Sequence, residues 1–158
     1  MSDFGRNDPR EMPAHLFSGA VRIDYASAVR ADPDRQNCSI CPRYWYVDTI
    51  FQCDRCGAEF AFTAAEQRVW YEDYGFWIDS LPKHCPECRR ELRELRAARQ
   101  EYDLRVGEAV EAGDLETMKQ LACVIDQLYE LGGELPPRIN ETRKRLARRI
   151  ARFEQEKA

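Results

Sequence analysis

The chain has 158 residues, 33% of them charged and 44% hydrophobic, and a formal net charge of -4. That length suits one ordinary domain, or a small domain with an extension. A mildly acidic total excludes a global pull toward nucleic acid or anionic membrane, because such binding is carried by clustered Lys and Arg. The stretch MSDFGRNDPREM has neither the basic n-region nor the apolar h-region of a secretory signal, and no apolar run approaches the roughly 20 residues that cross a bilayer. The expected location is the cytoplasm, with no membrane partner. Thiols stay reduced there, so spaced cysteine pairs read as metal ligands before they read as disulfides.

In chain order, residues 1–37 read as a poorly defined, marginally ordered N-terminal arm. Val21, Ile23 and Tyr25 alternate like a strand, yet Val21, Tyr25, Ala28 and Val29 fit a helix face equally well. The turn-rich ADPDRQN ends this arm. From Tyr44 to Phe62 the β-branched and aromatic residues suit a short hairpin. Thr63 and Glu66 are spaced as a capping box, opening a helix of about three turns that Gly75 stops. After Cys88 the chain becomes rich in Arg, Glu, Leu and Ala. One helix is expected over 89–112, with Leu92, Leu95, Tyr102 and Val106 inward. Gly113-Asp114 breaks the pattern, 115–131 resumes it with Cys123 packed in the core, Gly132-Gly133 breaks it again, and Pro136 or Pro137 opens a last helix. The fold class is α+β: a small zinc ribbon over 38–90, with short hairpins and one inserted helix, then a helical hairpin or three-helix extension over 91–158.

The chemistry sits in three C-x-x-C pairs: Cys38 and Cys41, Cys53 and Cys56, Cys85 and Cys88. Four thiolates fill one structural zinc site, so one pair is left over. Cys53-Asp54-Arg55-Cys56-Gly57 has a Gly just past its second Cys, where a left-handed residue closes such a knuckle. Cys85-Pro86-Glu87-Cys88-Arg89 is an equally good knuckle, 28 residues further on. A rival grouping takes Cys38, Cys41, Cys53 and Cys56, with 11 residues between pairs, and spacing alone does not exclude it.

The stretch from Pro42 to Arg90 resembles a family of small bacterial proteins described as having a probable zinc-ribbon domain. The elements that carry the resemblance are Tyr46-Val47-Asp48-Thr49-Ile50-Phe51, Cys53 to Gly57, Phe62-Thr63-Ala64-Ala65-Glu66-Gln67, Trp70-Tyr71-Glu72, Gly75 and Cys85 to Arg89. The resemblance implies that Cys53, Cys56, Cys85 and Cys88 are the ligands of a structural Zn2+. It implies no activity and says nothing about Cys38, Cys41 or the helices. A module of roughly 50 residues buries too little apolar surface to fold securely alone, and a structural zinc contributes an apparent ~10–16 kcal/mol of coupled binding and folding energy.

The leftover pair, Cys38 and Cys41, reads as surface thiols, as half of a second metal site completed by His15, His84 or another chain, or as a redox dithiol. Pro42 and aromatic strand residues follow it, unlike the helix that follows a thioredoxin-type pair. Four cysteines close the coordination shell that a catalytic zinc keeps open, and no deaminase, hydrolase or phosphate-loop motif is present. The expectation is therefore a protein that is not an enzyme, an adaptor for an unknown protein partner. The alternative partner is nucleic acid. Pro137 to Ala158 holds eight basic against three acidic residues, a local +5 within an acidic chain, with Arg145, Arg148 and Arg149 as the candidate contacts.

Overall fold

The computed structural model describes residues 5–38, 41–111 and 114–156. The chain divides into two compact units, Met1–Cys88 and Arg89–Ala158. Among the described residues no helix is long and apolar enough to cross a membrane.

The first unit is built on a three-stranded antiparallel sheet in the order β1-β2-β3: β1 is Arg22–Arg30, β2 Trp45–Gln52 and β3 Glu59–Phe62. The β2–β3 hairpin is the one the aromatic run foretells, with Phe51 opposite Phe60 and Thr49 opposite Phe62. The expectation of a marginally ordered arm over 1–37 is corrected. Residues 22–30 form an edge strand paired to β2, Arg22 opposite Ile50 and Arg30 opposite Trp45. A bulge between Asp24 and Val29 shifts the register, and the Ser27 hydroxyl accepts from the Asp48 amide at 2.6 Å to fill the gap. Local periodicity could not settle this strand, because its partners lie far along the chain, from Trp45 opposite Arg30 to Ile50 opposite Arg22. Two short 3-10 turns, Pro9–Glu11 and Ala14–Phe17, bring Leu16 and Phe17 against Val47.

Thr63 caps the next helix as expected, its hydroxyl accepting from the Glu66 amide at 3.1 Å. That helix, α1 (Ala64–Arg68), runs on as a π-helical turn over Val69–Asp73. Its inner face holds a buried polar residue, Gln67, whose amide donates to the Val47 and Phe62 carbonyls at 2.6 and 2.8 Å and so ties the helix to both strands of the hairpin. Tyr46, Phe51, Phe60, Phe62 and Tyr71 form the core with three of the cysteines.

The second unit is three helices: α2 (Pro86–Glu111), whose residues from Arg89 belong to it, α3 (Leu115–Gly132) and α4 (Pro137–Glu156). Their core contains Ala98, Tyr102 and Ala109 from α2, Leu121, Val124, Ile125 and Leu128 from α3, and Ile139 and Leu146 from α4. The three-helix form of the expected extension is therefore the one adopted. Asp114 caps α3 through the Glu116 and Thr117 amides, while Gly113 lies outside the described residues. At the other end Gly133, at φ +74°, closes α3 by donating to the Tyr129 carbonyl at 2.8 Å, a left-handed position that favours glycine.

Cys123 is a second correction: it is exposed, not core. Two residues at 100° each place it about 200° from Leu121, on the face opposite the Leu121, Val124, Ile125 and Leu128 stripe. An apolar neighbourhood in sequence is not a shared face.

Candidate metal centre

The metal centre is assembled where β2 ends and α2 begins. Cys53 follows the last residue of β2, and its amide donates to the Ala58 carbonyl at 2.9 Å while its own carbonyl accepts from Gly57 at 2.9 Å. This tight loop needs Gly57 at φ +74°. A bond from the Asp54 amide to the Lys83 carbonyl, 2.9 Å, brings the second pair alongside the first. Cys85 precedes the first residue of α2 and Cys88 lies in its first turn, with the Cys88 amide donating to the Cys85 sulfur at 3.4 Å. A helix N-terminus favours negative charge, so it suits thiolates.

Cys53, Cys56, Cys85 and Cys88 are, among the described residues, the set whose ligand atoms all lie within 4.8 Å of one another. The Cys56 and Cys85 sulfurs are 3.8 Å apart. Four thiolates holding a tetrahedral ion at about 2.3 Å would stand roughly 3.8 Å from each other, so the donors fit an ion of zinc's size and preference. Cys53, Cys85 and Cys88 are buried and Cys56 is exposed.

The four thiols differ in their electrostatic surroundings. Burial pushes the Cys53 thiol up, but donation from the Cys56, Cys85 and Arg55 amides outweighs it and brings the thiol down to about 5. Burial pushes Cys88 up to about 12, and the neighbouring sulfurs of Cys85, Cys56 and Cys53 add to it. One thiolate is favoured by amide donors and its neighbours resist joining it, the behaviour of like charges sharing one site. A divalent ion removes that conflict.

Residues 47–97, about a third of the chain, match the model of a family described as a probable treble clef domain. No curated protein and no solved structure matches the chain. The protein thus carries a treble clef metal-binding domain with a four-cysteine site, followed by a helical region. The ribbon-like reading is sharpened in one respect: the second knuckle opens the long helix α2 instead of sitting at a hairpin tip, and the matched segment accordingly runs on into that helix.

The other singled-out residues lie elsewhere. Cys38 and Cys41 are half-buried and outside the four-cysteine set, and Ser39 and Ile40 between them lie outside the described residues. The His84 Nδ1 is buried with no hydrogen-bond partner, and the ring belongs to no metal-ligand group among the described residues. Arg149 donates to the Val110 carbonyl at 2.9 Å, whereas Arg145 and Arg148 are exposed on α4 with Lys144. Lys157 lies outside the described residues.

Sequence reading missed the buried polar residues that hold the first unit together. Arg43 is only 1% exposed. Its guanidinium donates to the Leu16 carbonyl at 2.6 Å and the Ile78 carbonyl at 3.2 Å, and lies 5.1 Å from the Tyr71 ring. Glu72 is buried beneath Arg35 and Arg68 and accepts from the Asp32 amide at 2.9 Å. Charged residue types default to the surface, and nothing local in Pro42-Arg43-Tyr44 or Tyr71-Glu72-Asp73 marks them otherwise.

Proposed function

We propose that this is a non-catalytic, zinc-stabilised protein-interaction module of the cytoplasm. Zinc is the ion that four thiolates in tetrahedral reach of one another select, and four protein ligands leave no open coordination position for chemistry. The observation that carries the interaction reading is an exposed aromatic group beside the metal core: Tyr74 is 65% exposed, Phe76 44% and Trp77 42%. Phe76 lies 5.3 Å from the Trp70 ring and 5.8 Å from Tyr74, so these three rings form one patch in place of scattered residues. Aromatics held in a contiguous exposed patch bury large area at low entropy cost and are typical anchors of protein interfaces.

The test is site-specific photo-crosslinking from Phe76 of the zinc-loaded full chain, in cells of its source. The expected result is a discrete, saturable protein adduct that Tyr74→Ser abolishes while zinc content stays at the wild-type value. Adducts unchanged by that substitution, or none that saturates, would refute the reading.

A second reading, a nucleic-acid-binding accessory factor, is favoured by one observation. Lys144, Arg145 and Arg148 share an outer face of α4 around an open groove that Asn140 and Glu141 also line, and among the described residues none of the three cations has an ion-pair partner. Low-salt binding to generic RNA or DNA, lost on neutralising Arg145 and Arg148, would support it. No binding at low salt would remove it.

A further inference from the structure

The leftover cysteines lie at a junction that the four-cysteine site does not use. Arg43 bonds to the carbonyls of Leu16 and Ile78, so the residue before Leu16, His15, and the residue after Ile78, Asp79, are drawn to one place. His15 Nε2 and Asp79 Oδ1 are 4.0 Å apart. Cys41 precedes Arg43 by two residues. Cys38 reaches the same place by another route: Asn37 forms a parallel bridge with Trp77, and its carbonyl accepts from the Ile78 amide at 3.1 Å, which aligns Cys38 with the Ile78-Asp79 step. The Trp77 indole donates to Asp79 Oδ2 at 3.1 Å, fixing the carboxylate with its other oxygen toward His15. Three chain segments far apart in sequence thus meet at the Arg43 ties: the turn that carries His15, the strand-like step that carries Asp79, and the segment that carries the two thiols.

We propose that Cys38, Cys41, His15 and Asp79 form a second metal site, which takes a single zinc-type divalent ion. The donor set is one that tetrahedral zinc accepts, with ligand bonds of roughly 2.0–2.3 Å. Nitrogen and oxygen ligands in such a shell stand roughly 3.4 Å apart, so the His15–Asp79 pair must close by about half an ångström. Among the described residues these four are not a set whose ligand atoms already lie together, so binding requires the side chains to move in, and His15 and Asp79, 61% and 49% exposed, have the freedom to do so. Charge balance favours the assembly. Two thiolates and one carboxylate around a divalent ion leave one negative charge, and the Arg43 guanidinium supplies the opposite one. This site is independent of the interaction reading above, and its ion would hold the N-terminal turns and the segment before the second knuckle against the sheet.

The test is metal counting by native mass spectrometry on the full chain, prepared anaerobically with reductant, with cobalt(II) absorption as a second readout. Two zinc ions per chain are expected. Cys38→Ser, and separately the pair His15→Ala with Asp79→Ala, should each lose one ion and keep the other, with the near-UV circular dichroism of the aromatic core retained. The cobalt lost in these variants should carry weaker sulfur charge-transfer absorption than the cobalt that remains, since two thiolates bind it in place of four. One zinc in the wild-type chain, two in the His15 and Asp79 double variant, loss of both ions in Cys38→Ser, or isolation with a Cys38–Cys41 disulfide and a single zinc would each overturn the proposal.

Discussion

Arg43→Ala is the most informative single perturbation of the first unit. The substitution strips the donors from two buried carbonyls, Leu16 at 2.6 Å and Ile78 at 3.2 Å. A buried acceptor left without a partner costs ~1–3 kcal/mol, so the two together cost ~2–6 kcal/mol. Loss of the guanidinium from the Tyr71 face, 5.1 Å away, and the Phe17 ring, 5.5 Å away, adds ~1–2 kcal/mol. Relief from burying a charge that has no carboxylate in direct contact among the described residues offsets part of this. The expected net loss is ~3–6 kcal/mol, a large share of the ~5–15 kcal/mol that stabilises a domain. Urea unfolding at saturating zinc, followed by near-UV circular dichroism, measures it through the midpoint at constant slope. Arg43→Lys should recover only part, because an ammonium cannot present the guanidinium's fork to two separated carbonyls. An Arg43→Ala chain within ~1 kcal/mol of wild type would refute the assignment of Arg43 as the tie between these segments.

Removing the metal with a strong chelator should erase the near-UV signal of the aromatic core, since Cys53, Cys85 and Cys88 are members of it. Most of the helical far-UV signal should survive, because the core of the second unit contains no cysteine ligand; an unaltered near-UV spectrum after complete zinc removal would contradict the coupling of metal and fold. Stability of the helical unit should also fall in acid. The Thr117 hydroxyl, then the Glu116 and Thr117 amides, hold the Asp114 carboxyl below its ordinary value. Its folded pKa is thus depressed, so the stabilisation is fully present above the unfolded value near 4 and is lost as pH falls through the folded one. Asp114→Asn, which keeps the cap without the charge, should flatten that acid limb relative to wild type in thermal melts taken between about pH 2 and 6, and an identical limb would refute the role of the charge.

Much of the metal site was legible in the sequence. C-x-x-C spacing, the glycine after the first pair and the Thr63 cap are local rules, in which one residue's conformation or one short loop decides the outcome. The helical hairpins behaved the same way: Gly132-Gly133 and Pro137 mark their ends, and the Leu121, Val124, Ile125 and Leu128 stripe marks an inward face. Cys123 failed because hydrophobic neighbours were read in place of angular position.

What the chain by itself determined, then, was the set of local elements and the thiol pairs that demand a metal. The tertiary structure alone decided three things. It made residues 22–30 an edge strand, because pairing to β2 supplies hydrogen bonds that no neighbour in sequence can. It placed Cys85 and Cys88 at the start of a long helix, which makes the domain a treble clef. It also buried Arg43, Gln67 and Glu72, since a charged or amide side chain leaves water only where distant backbone carbonyls, amides or opposite charges converge on it. The same convergence around Arg43 is what brings His15 beside Asp79.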